Sequence, residues 1–206
     1  MAIEIMWLGH ASIMVRTENT VLYIDPWKIG TDMPSADIIL LTHDHYDHYS
    51  RDDVDILKTP RTRVVSPMPA DVTTDPIMPG QSLALGDVII EAIPAYNIDK
   101  EFHPKKNNWV GYVINILGKR VYHTGDTDHI PEMKGLKVDV ALMPVGGTYT
   151  MTADDACRAL EDIQADHAIP IHFGDIVGTG KDALRLSEIA PCSVHILSPG
   201  ESFKLA

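Results

Sequence analysis

The run Thr42-His43-Asp44-His45-Tyr46-Asp47-His48, directly after the apolar stretch 38–41, constrains this chain more than any other feature. Residues 43 to 48 carry three imidazoles and two carboxylates. So many ionisable groups at the end of a buried strand are costly unless they are paired or hold a cation. In extended geometry, side chains two residues apart share a side, so His43 and His45 can reach one metal ion. Asp47 and His48 lie just beyond and can turn toward a second. Imidazole nitrogen and carboxylate oxygen suit Zn²⁺ and related first-row ions. The competing reading is a solvated polar loop.

The rest of the chain is that of an ordinary globular protein. Its 206 residues predict one compact domain over 1–206 with a continuous core. Acidic residues outnumber basic ones 29 to 17, a formal charge of −12. That excess argues against a non-specific nucleic-acid binder, whose affinity comes from Lys and Arg. No nucleic-acid partner is expected, and a small-molecule substrate is. No apolar run reaches the length of a transmembrane helix. The N-terminal stretch lacks a basic region and cleavage site, so a cytoplasmic location is expected. Cys157 and Cys192 make one possible pair, too little for a disulfide scaffold, and are expected as buried thiols.

Short apolar or alternating runs predict strands over 3–8, 12–16, 21–24 and 38–41, then 88–94, 110–117 and 120–123, with Gly118-Lys119 as a tight hairpin. Residues 50–58 read as a helix opened by Ser50. The second half alternates strand and helix: strand 138–143, helix 152–163 capped by Thr152, strand 167–171, helix 181–189, then strands 194–197 and 202–205. This order predicts an α/β fold of sheets covered by helices.

Two further motifs follow the first. Tyr122-His123-Thr124-Gly125-Asp126-Thr127 ends one strand, and Ile169-Pro170-Ile171-His172-Phe173-Gly174 ends another. With His43-x-His45-x-Asp47-His48, their order over 130 residues resembles the metallo-β-lactamase superfamily. The resemblance covers essentially the whole chain. It implies a four-layer αββα sandwich with two divalent metal ions at one edge, zinc first, with manganese or iron as alternatives. It implies that His43 and His45 bind one ion, that Asp47, His48 and His172 bind the other, and that Asp126 bridges. It further implies a metal-bound hydroxide as nucleophile, with Asp47 and Asp126 in catalytic positions. Leu8-Gly9-His10-Ala11, Ile24-Asp25-Pro26-Trp27 and the stretch from Pro144 to Met151 look like the compact branch that includes ascorbate-6-phosphate lactonase.

One position departs from the pattern. The family usually supplies a third histidine to the first ion after the strand that is here 88–94, and this chain has Ala95-Tyr96-Asn97. Asn97 stands at or near that place, and an amide oxygen is the weaker ligand. His103 could replace it from a loop, or be a surface histidine beside Lys105 and Lys106. A weak or partly occupied first site is the consequence. His10 could face the cleft, or be a turn histidine. Asp25 is a natural partner for the N–H of a ligating imidazole, or a turn cap. Gly146-Gly147-Thr148 reads equally as an anion nest and as a plain turn. Lys105 and Lys106 offer charge for an anionic substrate, or a solvated pair. His129 is close enough to the Asp126 turn to line the cleft. His123, His167 and His195 read as packing residues.

The expectation is a metal-dependent hydrolase acting on a small, anionic, ester-type substrate, a phosphodiester or lactone. The alternatives are a di-iron redox protein, or a non-catalytic metal-binding domain of the same fold. Self-association is left open.

Overall fold

A computed structural model of the chain describes residues 2–206. The first half contributes β1 (Ile3–Gly9), β2 (Ser12–Arg16), β3 (Val21–Ile24), β4 (Ile38–Leu40), helix α1 (Arg51–Leu57), β5 (Arg63–Ser66) and β6 (Asp75–Pro76). It continues with β7 (Ser82–Leu85), β8 (Val88–Pro94), β9 (Val110–Ile116) and β10 (Lys119–His123). The remainder supplies β11 (Val138–Pro144), α2 (Ala153–Ile163), β12 (Ala165–Ile171), α3 (Gly180–Ile189), β13 (Ser193–Val194) and β14 (Ser202–Leu205). Two seven-stranded mixed sheets result, in the orders β14-β1-β2-β3-β4-β5-β6 and β13-β12-β11-β10-β9-β8-β7.

The strand sequences explain the layering. Ile13, Val15, Leu22, Ile24, Ile38 and Leu40 point into a core shared with Ile90, Tyr112, Val121 and Leu142 of the second sheet. The alternate residues Met14, Tyr23, Ile39 and Leu41 pack outward against Val54 and Leu57 of α1. Strands buried on both faces read as continuous apolar runs, which is why 21–24 and 38–41 carry little alternation. On the far side, α2 buries Ala153, Ala156, Leu160 and Ile163, at spacings of three and four. A capping box between Thr152 and Asp155 starts this helix, and one between Thr179 and Asp182 starts α3. Helix, sheet, sheet and helix pair form the αββα sandwich.

Strand direction then decides where the polar motifs gather. β3 and β4 are parallel, and β1 runs with them because β2 is antiparallel to both β1 and β3. In the second sheet β10, β11 and β12 are parallel, and β8 runs with them across β9. The residues that follow β1, β3, β4, β8, β10 and β12 therefore emerge along one edge of each sheet. Tyr112 joins the sheets there, its hydroxyl donating to the Leu41 carbonyl at 2.7 Å.

Two local expectations shift. The β9–β10 hairpin turns on Leu117-Gly118, both at positive φ, with Lys119 paired to Ile116, so the turn lies one residue earlier than Gly118-Lys119. Cys157 and Cys192 are free and half-buried rather than buried. Among the described residues no helix is long and apolar enough to cross a membrane.

Candidate metal centre

The motif after β4 folds back on itself, with the backbone N–H groups of His48 and Tyr49 both bonded to the His45 carbonyl. This turn separates its ligand-type side chains into two sets. His43, His45 and His103 bring one ring nitrogen each within 4.8 Å of one another. Asp47, His48, His172 and His10 form a second such group. Asp126 stands between them: its Oδ2 lies 3.3 Å from His103 Nε2 and 3.0 Å from His172 Nε2, while its Oδ1 lies 3.3 Å from His48 Nε2.

The turn that presents Asp126 needs glycine before it. Gly125 has φ +64°, and a Cβ there would come within 2.8 Å of the Val110 carbonyl. Three other site residues, His10, Asp25 and His172, hold positive φ with full side chains. Such backbone costs about 1 kcal/mol or more per residue and persists where the surroundings fix it. His10 and His172 fix one another, the His172 N–H donating to the His10 carbonyl at 2.8 Å.

Each of three imidazoles is turned by a bond to its Nδ1. The His48 Nδ1–H donates to Asp25 Oδ2 at 2.7 Å. Asp25, fully buried, also accepts from the Thr42 backbone N–H at 2.8 Å and the Thr42 hydroxyl at 2.5 Å. With its own hydrogen committed to Asp25, the Thr42 oxygen accepts from His43 Nδ1 at 2.9 Å. His103 Nδ1 donates to Asn97 Oδ1 at 3.0 Å. His43 Nε2 then lies 3.2 Å from His45 Nδ1, and the Nε2 atoms of His48 and His103 are turned toward Asp126.

The ring nitrogens around Asp126 test whether a cation fits. The Nε2 atoms of His48, His103 and His172 are buried and have no hydrogen-bond partner, since their approach to Asp126 is close but out of hydrogen-bond geometry. Leaving several buried ring nitrogens without a partner costs about 1–3 kcal/mol each. Imidazole and carboxylate are the donors that first-row divalent ions select, so the residues present fit such ions.

The electrostatics agree with the geometry. Burial would raise the Asp126 carboxyl, yet the attraction of His172 and His48 outweighs it and holds the group well below the usual carboxylate range. Asp47 is lowered too, burial being overcome by the His10 bond and His48. Burial, reinforced by neighbouring His48, keeps His43 well below 6.5. His48 goes the other way: burial opposes its charge, but Asp126 and Asp25 raise it well above 6.5. The floor of a cavity of about 380 Å³ is formed by His45, Asp47, His103, Asp126 and His172.

His43, His45, Asp47, His48, Asp126 and His172 thus come together as a cluster. His103 joins them, while Asn97 does not face the centre and instead holds His103. His10 sits behind Asp47, its Nε2 3.0 Å from Asp47 Oδ2, a contact across 37 residues of sequence. Other expectations are corrected. His129 turns away from the cleft to Asp162, at 2.9 Å. Lys105 is committed to Glu132 at 2.9 Å and stacks on Tyr96, and neither Lys105 nor Lys106 lines the cavity. Gly146-Gly147-Thr148 is a turn, its N–H groups at 147 and 148 spent on Met151 and Gly146 carbonyls. Gly146 is required there because a Cβ would lie 2.5 Å from the His172 carbonyl.

Residues 4–172 match the family described as the β-lactamase superfamily domain. A metal-dependent hydrolase of Thermoplasma volcanium is 34% identical over 208 residues, covering 92% of each chain. A structure from Parabacteroides distasonis described as a metal-dependent hydrolase superposes with a TM-score of 0.83 at 31% identity, covering 94% of this chain and 92% of that one. A metallo hydrolase from Ignicoccus hospitalis shares the fold, with a TM-score of 0.83 at 22% identity over 100% of this chain and 99% of that one.

Proposed function

The chain belongs to the metallo-β-lactamase superfamily, and on that premise we propose that it is a metal-dependent hydrolase of an ester-type bond in a small molecule, a phosphodiester or a lactone. The observation that carries this reading is the convergence of three buried Nε2 atoms without a hydrogen-bond partner, from His48, His103 and His172, on the two oxygens of Asp126. His43, His45 and His103 would hold one divalent ion and Asp47, His48 and His172 the other, with Asp126 shared between them. Zinc suits this donor set best. Divalent ions in such a site bring the pKa of a bound water to about 7 and polarise the oxygen of the scissile group.

The protein groups do the rest. Asp25, Thr42 and Asn97 each take a bond from the Nδ1 of their imidazole and so fix the direction of the ring before ions and substrate arrive. Asp47, ionised and lining the cavity, can take a proton from the attacking water and return it to the leaving oxygen. His10 fixes that carboxylate in place.

The test is turnover by protein reconstituted separately with Zn²⁺, Mn²⁺ and Fe²⁺ on phosphodiester, lactone, thioester and β-lactam panels, with Asp47→Ala as control. Hydrolysis of an ester class that drops at least about 100-fold in Asp47→Ala is expected. Full turnover by Asp47→Ala would place the chemistry elsewhere.

A further inference from the structure

We propose that the substrate carries an uncharged apolar group, aryl or branched alkyl, which this protein recognises on a rim formed by Tyr46, Phe102, Tyr149 and Ile176. The proposal rests on the hydrolase reading for the position of the scissile group. It adds what lies beyond that group.

The cavity is two-sided. Its floor is polar, but its walls above the floor are these four side chains together with Asp44. Tyr46, Phe102 and Ile176 are 68%, 47% and 36% exposed, so large apolar surface is left facing solvent around one small cavity. Scattered exposed apolar residues need no explanation, but a cluster around a concave site marks binding. The wall is also preformed. Phe102 meets Tyr149 edge to face, with ring centroids 4.7 Å apart, and Tyr46 meets Trp27 in the same way at 6.2 Å. A ring or branched chain entering between them would find the offset and T-shaped partners that aromatic groups favour.

Charge points the same way. No Lys or Arg lines the cavity, and the one charged group on its rim is the exposed carboxylate of Asp44. Of the cations on the nearby loops, Lys28 pairs with Asp175 at 2.6 Å, Lys100 with Asp128 and Lys105 with Glu132 at 2.9 Å, while Lys106 is exposed and does not line the cavity. An anionic substituent would meet Asp44 without a counter-charge. Any negative charge on the substrate belongs at the scissile group, against the ligand cluster. A volume of about 380 Å³ holds that group and one ring-sized substituent, at the small end of ligand sites.

The experiment compares matched substrates on the zinc-reconstituted protein: the phenyl, methyl and carboxymethyl esters of p-nitrophenyl phosphate, and γ-butyrolactones bearing a phenyl or a carboxyl group. The phenyl member is expected to exceed the carboxylated member in kcat/KM by about tenfold or more, in line with burial of most of a ring. Phe102→Ala and Ile176→Ala should each bring that ratio down toward one. Equal or better handling of the carboxylated member, or a ratio unchanged in both variants, would overturn the proposal while leaving the hydrolase reading intact. Titration with methyl phenylphosphonate, followed by backbone amide shifts, separates the two ideas further. Shifts at Phe102 and Ile176 without turnover of any ester would support the apolar site and sink the hydrolase. Neither turnover nor shifts would sink both.

Discussion

The side-chain oxygen of Asn97 accepts from both the backbone N–H and the ring Nδ1 of His103, at 3.0 Å in each case. The Asn97 amide nitrogen is occupied too, donating to Asp128 at 3.2 Å and to the Tyr149 carbonyl at 2.9 Å. That network fixes which end of the amide faces His103, and hence which ring nitrogen stays bare. Asn97→Ala is expected to weaken binding of one divalent ion by roughly 10–100-fold while sparing the other, as loss of a supporting bond to a ligand does. Calorimetric titration of zinc into metal-free protein reads this as a split between two binding events. Two unchanged events would remove Asn97 from the account.

Asp25 is the corresponding support for the other set. Its carboxylate satisfies Thr42 twice and His48 once, with no solvent exposure. Asp25→Ala strands those donors in the core, and a loss of about 3 kcal/mol or more in urea unfolding of the metal-free protein is expected. A loss below about 1 kcal/mol would mean that water reaches the site and replaces the carboxylate.

Acid should weaken the metal-free protein for a reason readable in its buried imidazoles. Burial, together with His48, holds His43 well below 6.5, and burial likewise lowers His123. Below about pH 6.5 the unfolded chain takes up protons that these folded rings refuse, so their contribution is full above that pH and lost beneath it. His48, which Asp126 and Asp25 raise despite burial, acts in the opposite sense. Its folded ring is already charged while the unfolded one gains its proton around pH 6.5, so it offsets part of the loss near that pH and little of it by about pH 5.5. Stability should therefore fall between about pH 6.5 and 5.5, by on the order of 1 kcal/mol per pH unit for each excluded proton. Urea midpoints taken at about pH 7.5, 6.5 and 5.5 check this. A midpoint that holds or rises toward pH 5.5 would contradict it.

What could be read in advance followed from distance along the chain. The cluster after β4 was legible because its ligand-type residues are neighbours and the strand before them is unmistakably apolar. That sheets are covered by helices was legible in the strand–helix–strand order of the second half, whereas the four-layer αββα arrangement was implied by the resemblance that the three motifs carry. Long-range geometry was not. Nothing in the spacing of Asn97 and His103 says that the first turns the second inward, because the loop between them has no regular period. The approach of His10 to Asp47 and the turn of His129 toward Asp162 span 37 and 33 residues, and only the packed sheets bring them about. Lys105 looked free for an anion because Glu132, its partner, lies 27 residues away. Exposure of Phe102 and Ile176 beside the site gave no sign in a sequence where apolar residues default to the core.

Asp126 stands between two sets of histidines, and the proposed hydrolysis rests on its sharing divalent ions with both. Metal content per chain, measured by inductively coupled plasma mass spectrometry after reconstitution with zinc, manganese or ferrous ion and desalting, tests it most directly. The prediction is about two ions per native chain for at least one of these metals, falling to about one or fewer in Asp126→Ala, with ester hydrolysis lost in parallel. A native chain that retains none of the three, or an Asp126→Ala chain with undiminished content, would contradict it.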